Sequence, residues 1–126
     1  MPWGLVLISL MDSPFKLIAE NKTWEAALNF CRDHHTHLAS IVSEEHQAWA
    51  ELEAANATSP FVWLGLRYTC TLEFWFWVQD IRVDFTHWDQ NNRMGDCDMS
   101  GAMENQENHL WSSQPATSTF NFICTI

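Results

Sequence analysis

The sequence is poor in basic residues. Six Lys and Arg stand against sixteen Asp and Glu, which gives the 126-residue chain a formal net charge of −10, and no cluster of Lys or Arg occurs along it. Proteins that bind nucleic acids or anionic membrane surfaces rely on basic patches, and an acidic chain is repelled by both. We therefore expect no nucleic-acid partner.

The chain also lacks an apolar run as long as the ~20 residues that a membrane-spanning helix needs, so we expect no membrane insertion by the domain itself. A shorter apolar run extends from Trp3 to Met11. It has the length of a signal-peptide core, but neither a basic region before it nor a clear cleavage site after it. Residues 1–14 are interpreted either as an N-terminal strand or as a degenerate signal-like segment.

Patterns typical of catalysis and of zinc binding are absent too. The sequence has no Gly-x-Ser-x-Gly elbow, phosphate-binding loop or HExxH motif, so we expect no enzymatic activity. The histidines of residues 34–37 are interpreted as a helix end, since no nearby ligands complete a tetrahedral zinc site. The four cysteines form no CxxC pair, which favours disulfides over a metal.

Two N-glycosylation sequons begin at Asn21 and Asn56. Such sequons, together with an even number of cysteines, agree with an oxidising compartment. We expect an extracellular glycoprotein, either secreted or the ectodomain of a membrane receptor.

The length supports a single domain, and its first half predicts two helices. Thr23 is a plausible N-cap for the first helix, and Ser43 followed by two glutamates is one for the second. Residues recurring at helical spacing predict the buried stripes. These are Trp24, Ala27, Leu28 and Cys31 in the first helix, and Ala48, Trp49, Leu52 and Ala55 in the second.

The second half is rich in strands. Runs of Val, Ile, Phe and Trp broken by turns extend from Phe61 to Trp88, and such residues favour a pleated, half-buried surface. Both faces of 74–77 are aromatic, so we expect a central strand covered on each side. Further strands are predicted for 97–103, from Leu110 and for 120–124, with a loop over 112–119. Helices followed by strands indicate the α+β class.

Several short motifs carry a resemblance when taken in order. They include Lys22-Thr-Trp24-Glu-Ala-Ala, Trp63-Leu-Gly-Leu66, Phe76-Trp77 and Phe122-Ile-Cys124. Over residues 15–126 the chain resembles C-type lectin-like domains, and it is similar to the modules of mannose-receptor-type proteins. The resemblance implies two helices, two small antiparallel sheets and a long loop that can carry Ca2+ and a sugar. It also implies a disulfide between Cys31 and Cys124.

The chain departs from this pattern at the positions that would bind the metal. Sugar-binding members carry Glu-Pro-Asn or Gln-Pro-Asp in the long loop and a later Trp-Asn-Asp. Here the loop is shortened, its nearest equivalent is Gln90-Asn91-Asn92, and Trp111 is followed by Ser112-Ser113. Ca2+ takes ~6–8 oxygen ligands and gains affinity from carboxylates, whereas these positions offer amides and hydroxyls.

The departures favour a recognition module that binds a protein or glycan ligand without Ca2+ and without any other cofactor. The expected ligand-binding residues are Gln90, Asn91, Asn92, Ser112 and Ser113. The alternative is a Ca2+-dependent carbohydrate-binding lectin with an altered site, in which Gln90, Asn92 and Asp96 hold the metal.

A second departure concerns the remaining cysteines. In the family pattern, the partner of Cys97 would stand at the position that Ala116 occupies here. Cys70 is the only other thiol available. Whether Cys70 and Cys97 lie within the ~7 Å Cα separation that a bridge tolerates is left open by the sequence.

Overall fold

The computed structural model describes residues 13–126, so the apolar run from Trp3 to Met11 lies outside the described residues. Within these residues, two helices and six strands are present. In chain order they are β1 (Phe15–Lys22), α1 (Trp24–Asp33), α2 (Glu44–Ala54), β2 (Phe61–Thr69), β3 (Phe74–Trp77), β4 (Met99–Glu104), β5 (Trp111–Pro115) and β6 (Phe120–Thr125).

Both helices begin where the sequence predicts. The Thr23 hydroxyl accepts a hydrogen bond from the Ala26 amide at the start of α1, and the Ser43 hydroxyl accepts one from the His46 amide at the start of α2. Side-chain acceptors of this kind satisfy amides that the first helical turn leaves unpaired. In α1, Trp24, Ala27 and Cys31 are buried and Leu28 is partly buried, so the predicted stripe is confirmed.

The buried stripe predicted for α2 is wrong. The helix buries Gln47, Ala50 and Ala54, whereas Leu52 is 46% exposed. The helix is rotated because Gln47 is held inside by hydrogen bonds: its amide oxygen accepts from Trp111 Nε1 at 2.9 Å. A buried polar side chain with its partners satisfied is tolerated in a core, and it displaces the apolar stripe from the position that hydrophobicity alone predicts.

The six strands form one connected mixed sheet in the order β1-β6-β2-β4-β5, with β3 also paired to β2. Strand β2 pairs in parallel with β6 through Val62 and Trp63, and all other pairs are antiparallel. The last four residues of β2 pair with β3. The predicted α+β class is confirmed, and the two expected small sheets are joined because β2 contributes to both halves.

Strand β3 is an edge strand and not the central strand that its aromatic residues suggested. Within residues 13–126 its only strand partner is β2. Trp77 is fully buried and packs edge-on against Trp111, with ring centroids 5.4 Å apart. Phe74 is 49% exposed on the alternate face. One aromatic face therefore covers the core, and the other is largely uncovered.

Of the remaining strand predictions, one is wrong and another is shifted in position. The expected strand at residues 85–88 is reduced to a single bridge between Trp88 and Trp111. The segment 112–115, expected as a loop, continues β5 and pairs with β4. That pairing extends to Pro115, a residue that a sheet tolerates at an edge strand.

Two disulfides connect the cysteines. Cys31 of α1 is bonded to Cys124 of β6, with Cα atoms 5.6 Å apart. Cys70, in the turn after β2, is bonded to Cys97, with Cα atoms 5.2 Å apart. The pairing of Cys97 follows from the fold, because the β2–β3 turn lies beside the segment that enters β4.

No helix within residues 13–126 has both the length and the apolar character required to cross a bilayer.

We predict that the two disulfides contribute unequally to stability. The Cys31–Cys124 bond closes 93 residues and the Cys70–Cys97 bond closes 27, which correspond to about 4.7 and about 3.5 kcal/mol in the loop-entropy treatment. Cys31 and Cys124 are also buried, so their replacement by Ala loses core packing as well. Urea denaturation of the two Cys→Ala double variants measures the difference. A larger loss of unfolding free energy in the Cys70/Cys97 variant would contradict this prediction.

We also predict that tryptophan-to-phenylalanine substitutions in the core have different costs. Trp77 and Trp111 are both fully buried, but the Trp77 indole N–H has no hydrogen-bond acceptor in the described part of the chain. Trp111→Phe leaves the Gln47 oxygen without its hydrogen-bond donor. This should lower the free energy of unfolding by roughly 1–3 kcal/mol, in addition to the loss from the smaller side chain. Equilibrium denaturation should show Trp77→Phe to be the milder change. Equal losses would mean that the indole bond contributes nothing.

Candidate functional site

The long loop, residues 78–98, connects β3 to β4, and it is fixed against β5 through Trp111. The Trp111 amide donates to the His87 carbonyl at 2.7 Å, and the Asp89 amide donates to the Trp111 carbonyl at 2.8 Å. The Trp111 ring also contacts the rings of Phe85 and Trp88, with centroids 5.9 and 5.7 Å away. These hydrogen bonds and ring contacts join this part of the loop to β5.

Beyond Trp88 the loop makes a polar turn around Asp89. The Asp89 carboxylate accepts from the Asn91 amide, and its carbonyl accepts from the Asn92 amide, both at 3.0 Å. Such aspartate-centred bonds are typical of tight turns. Gln90 and Asn91 are exposed at the tip, so they are the predicted site residues with surface to offer a ligand.

Asn92, Ser112 and Ser113 are brought together by direct hydrogen bonds between the loop and β5. The Asn92 side-chain amide donates to the Ser112 hydroxyl, and the Ser113 amide donates to the Asn92 carbonyl at 2.7 Å. The Ser113 hydroxyl donates to the Met94 carbonyl at 2.8 Å. Ser112 and Ser113 are 1% and 5% exposed. Their hydroxyls bond to the loop and help to hold its shape. Their role in ligand binding stays a prediction.

The donor set does not fit Ca2+. Residues 90–92 of the loop and 112–113 of β5 stand where the family binds its metal. The two segments are bonded to each other through an amide and a hydroxyl, and neither group carries a charge. Asp96, required by the alternative site, is exposed, and its carboxylate accepts from the Cys97 amide at 2.7 Å. Residues 13–126 contain no group of three or more His, Cys, Asp or Glu side chains arranged to hold a metal ion.

The two sequons meet at a buried asparagine. Asn121 of β6 is fully buried; its side-chain amide donates to Asn21 at 2.9 Å, and its oxygen accepts from the Thr58 amide at 2.7 Å. Asn21 and Asn56 are exposed. Both sequons therefore lie at the end of the sheet where β2 begins.

Sequence patterns did not indicate an apolar cleft of about 700 Å³ beside β3. It is lined by Thr69, Leu72, Phe74, Trp75, Phe76, Trp77, Asp80, Ile81, Arg82 and Val83. The aromatic run of β3 is the signal that could have found it, but periodicity assigned both faces of that run to the interior. A smaller cleft of about 350 Å³ lies near the end of α1, and His34 and His35 contribute to it.

The chain is similar to several known proteins. Residues 20–126 match the family described as Lectin C-type domain. A C-type lectin of Micrurus corallinus is 32% identical over 117 residues, which are 87% of this chain and 74% of that protein. The C-type lectin domain family 4 member K of Homo sapiens is 30% identical over 109 residues, 82% of this chain.

The chain spans 32% of that human protein and only 6% of the secretory phospholipase A2 receptor of Pongo abelii, to which it is 31% identical over 101 residues. Among solved structures, a calcium-independent type II antifreeze protein superposes with a TM-score of 0.78 at 25% identity, covering 89% of this chain and 84% of that one. From the family match over residues 20–126 and the identity to these relatives, we conclude that the chain belongs to the C-type lectin domain family.

Proposed function

We propose that the chain is an extracellular recognition module that binds a protein or glycan ligand without Ca2+. The observation that carries this proposal is the direct bonding of Asn92 to Ser112 and Ser113. These bonds close the space between the long loop and β5 with uncharged groups. A bound divalent ion would have to break them and would gain no carboxylate in return.

The charge of the loop supports the same proposal. The carboxylates nearest in sequence have other partners: Asp89 caps the turn, and Asp98 lies 3.9 Å from Arg67. If two or more of these carboxylates moved together to form a metal site, they would repel one another and lose these contacts. Because the turn is already satisfied internally, the loop needs no ion to hold its shape.

The relatives show that this fold occurs with and without dependence on calcium. One superposed structure is a calcium-independent type II antifreeze protein, and another is a Ca2+-dependent type II antifreeze protein in its Ca2+-free form, at TM-scores of 0.78 and identities of 25% and 24%. The fold alone therefore does not decide the matter. The donor set supports the proposal of a site without metal.

The loop also supports the proposal of a binding role rather than a catalytic one. Gln90 and Asn91 offer amide donors and acceptors at an exposed tip, and such groups recognise polar ligands without activating a bond. Two disulfides and two exposed sequon asparagines favour an oxidising, extracellular location. We propose that Asn21 and Asn56 are glycosylated there.

We predict that Ca2+ leaves the melting temperature unchanged. A ligand held at ~100 times its Kd stabilises the native state by about 2.7 kcal/mol, which is a shift on the order of 10 °C for a domain of this size. Melting curves of the wild-type chain in millimolar CaCl2 and in EDTA should coincide.

The contrary outcome has a matched control. If CaCl2 raises the melting temperature, Asp96→Asn and Glu20→Gln should be compared, since each removes one carboxylate but only Asp96 belongs to the alternative site. Loss of the shift in Asp96→Asn alone would show that the loop binds Ca2+ through that carboxylate, and the metal-independent function would be wrong.

A further inference from the structure

The apolar cleft beside β3 follows the length of that strand. All four residues of β3 line it, although their side chains alternate between the two faces. A cleft on one face would contact only every second residue. The cleft therefore runs along the edge of the strand, and residues 80–83 form its other lining.

Some backbone groups on both sides of the cleft have no partner in the described part of the chain. Strand β3 is paired through one edge only, with β2. In residues 81–84, no backbone amide donates a hydrogen bond to a backbone carbonyl of the described chain. On the outer edge of β3 the Trp77 carbonyl already accepts from the Asp80 amide at 3.1 Å, and Trp77 is fully buried. An extended peptide placed between the two segments would therefore find free backbone groups at Trp75 and along residues 81–84, which is the arrangement that adds a strand to a sheet edge.

Several apolar side chains that line the cleft are exposed to solvent. Seven large hydrophobic side chains of the described chain are exposed, and three of them line this one cleft: Leu72 at 64%, Phe74 at 49% and Ile81 at 41%. Single exposed apolar residues need no explanation, but a contiguous group of them marks an interaction surface. The volume of about 700 Å³ falls within the range of ligand-binding clefts.

The charges around the cleft specify the partner. Arg82 is paired with Asp84 at 3.1 Å, whereas Asp80 of the lining and Glu73 of the adjoining turn take part in no ion pair within residues 13–126. The local excess is acidic, and the whole chain carries −10. A second copy of this chain would be repelled, and a cationic segment would be attracted.

We propose that the β3 cleft binds an extended, basic peptide segment of a partner protein, which pairs with the Trp75 backbone at the outer edge of β3 and places alternate apolar side chains against Leu72, Phe74 and Ile81. This assignment rests on the proposed recognition function and adds a second binding surface to it.

The glycosylation sites lie away from the cleft. The sequons lie where β2 begins, and the cleft lies where β2 ends, about 20 Å away at the rise of a strand. Glycans at Asn21 and Asn56 would leave the cleft open.

The test uses a defined probe, the labelled peptide Ac-Lys-Val-Lys-Val-Lys-Val-amide, titrated with the chain in EDTA and followed by fluorescence anisotropy. Saturable binding is expected. The peptide with Glu in place of Lys should bind at least 10-fold more weakly, and so should a version N-methylated at alternate residues, which cannot donate along one edge. Binding of all three peptides with equal affinity would overturn strand pairing and charge recognition.

Ile81→Lys places a charge in the cleft and should weaken binding of the basic peptide at least 10-fold. Leu52→Lys is its matched control, because Leu52 on α2 is similarly exposed, at 46%, and the change in net charge is the same. Leu52→Lys should leave the affinity within two-fold of wild type. Equal weakening by the two variants would place the peptide elsewhere and overturn the assignment.

Two further outcomes separate this proposal from the function on which it rests. Sedimentation of the chain alone should give a monomer; a dimer lost in Ile81→Lys would mean that the cleft takes a second copy, and the basic partner would be wrong. Binding that requires CaCl2 but is still weakened by Ile81→Lys would support the cleft and overturn Ca2+ independence. Absence of binding in both CaCl2 and EDTA would overturn the cleft, while the melting curves decide the function separately.

Discussion

Trp111 is the residue on which the arrangement of this domain depends. Its indole donates to Gln47 and so fixes the rotation of α2. Its backbone bonds to His87 and Asp89 and so fixes the long loop. Its ring packs against Trp77 of β3. Helix α2 lies far in sequence from β3 and from the long loop that follows β3, and all three contact Trp111. A change at Trp111 would therefore disturb the core and the loop together.

The long loop is joined to β5 by local polar bonds. Here Asn92, Ser112 and Ser113 join them through neutral donors and acceptors, two of which are almost fully buried. Buried hydrogen bonds between neutral groups depend little on ionic conditions. These bonds form as the chain folds and contribute to the geometry of the loop.

The parts of the fold that could be predicted are those set by neighbouring residues. Helix starts at Thr23 and Ser43 depend on side chains that bond within one turn, and the Cys31–Cys124 bond lies in a motif order typical of the family. The rotation of α2 could not be predicted, because Gln47 is buried through a partner 64 residues away. For the same reason the burial of Ser112 and Ser113 could not be predicted: whether a hydroxyl faces solvent or a loop is decided by tertiary contacts. The aromatic alternation of β3 indicated a strand correctly, but the number of strands beside it is a property of the whole sheet.

An aromatic edge strand with one unpaired side is a hazard, since another strand can add to it and lead to aggregation. The chain does not protect β3 with a lysine or a proline within the strand, whose sequence is Phe-Trp-Phe-Trp. Its acidic charge provides protection of a different kind, because copies of a −10 chain repel one another over the Debye length of about 8 Å at physiological salt. That repulsion acts against another copy of this chain and in favour of a basic segment. The same acidic residues that keep the exposed edge from self-pairing therefore make it selective for a cationic partner, and this selectivity should weaken as salt screens the charges.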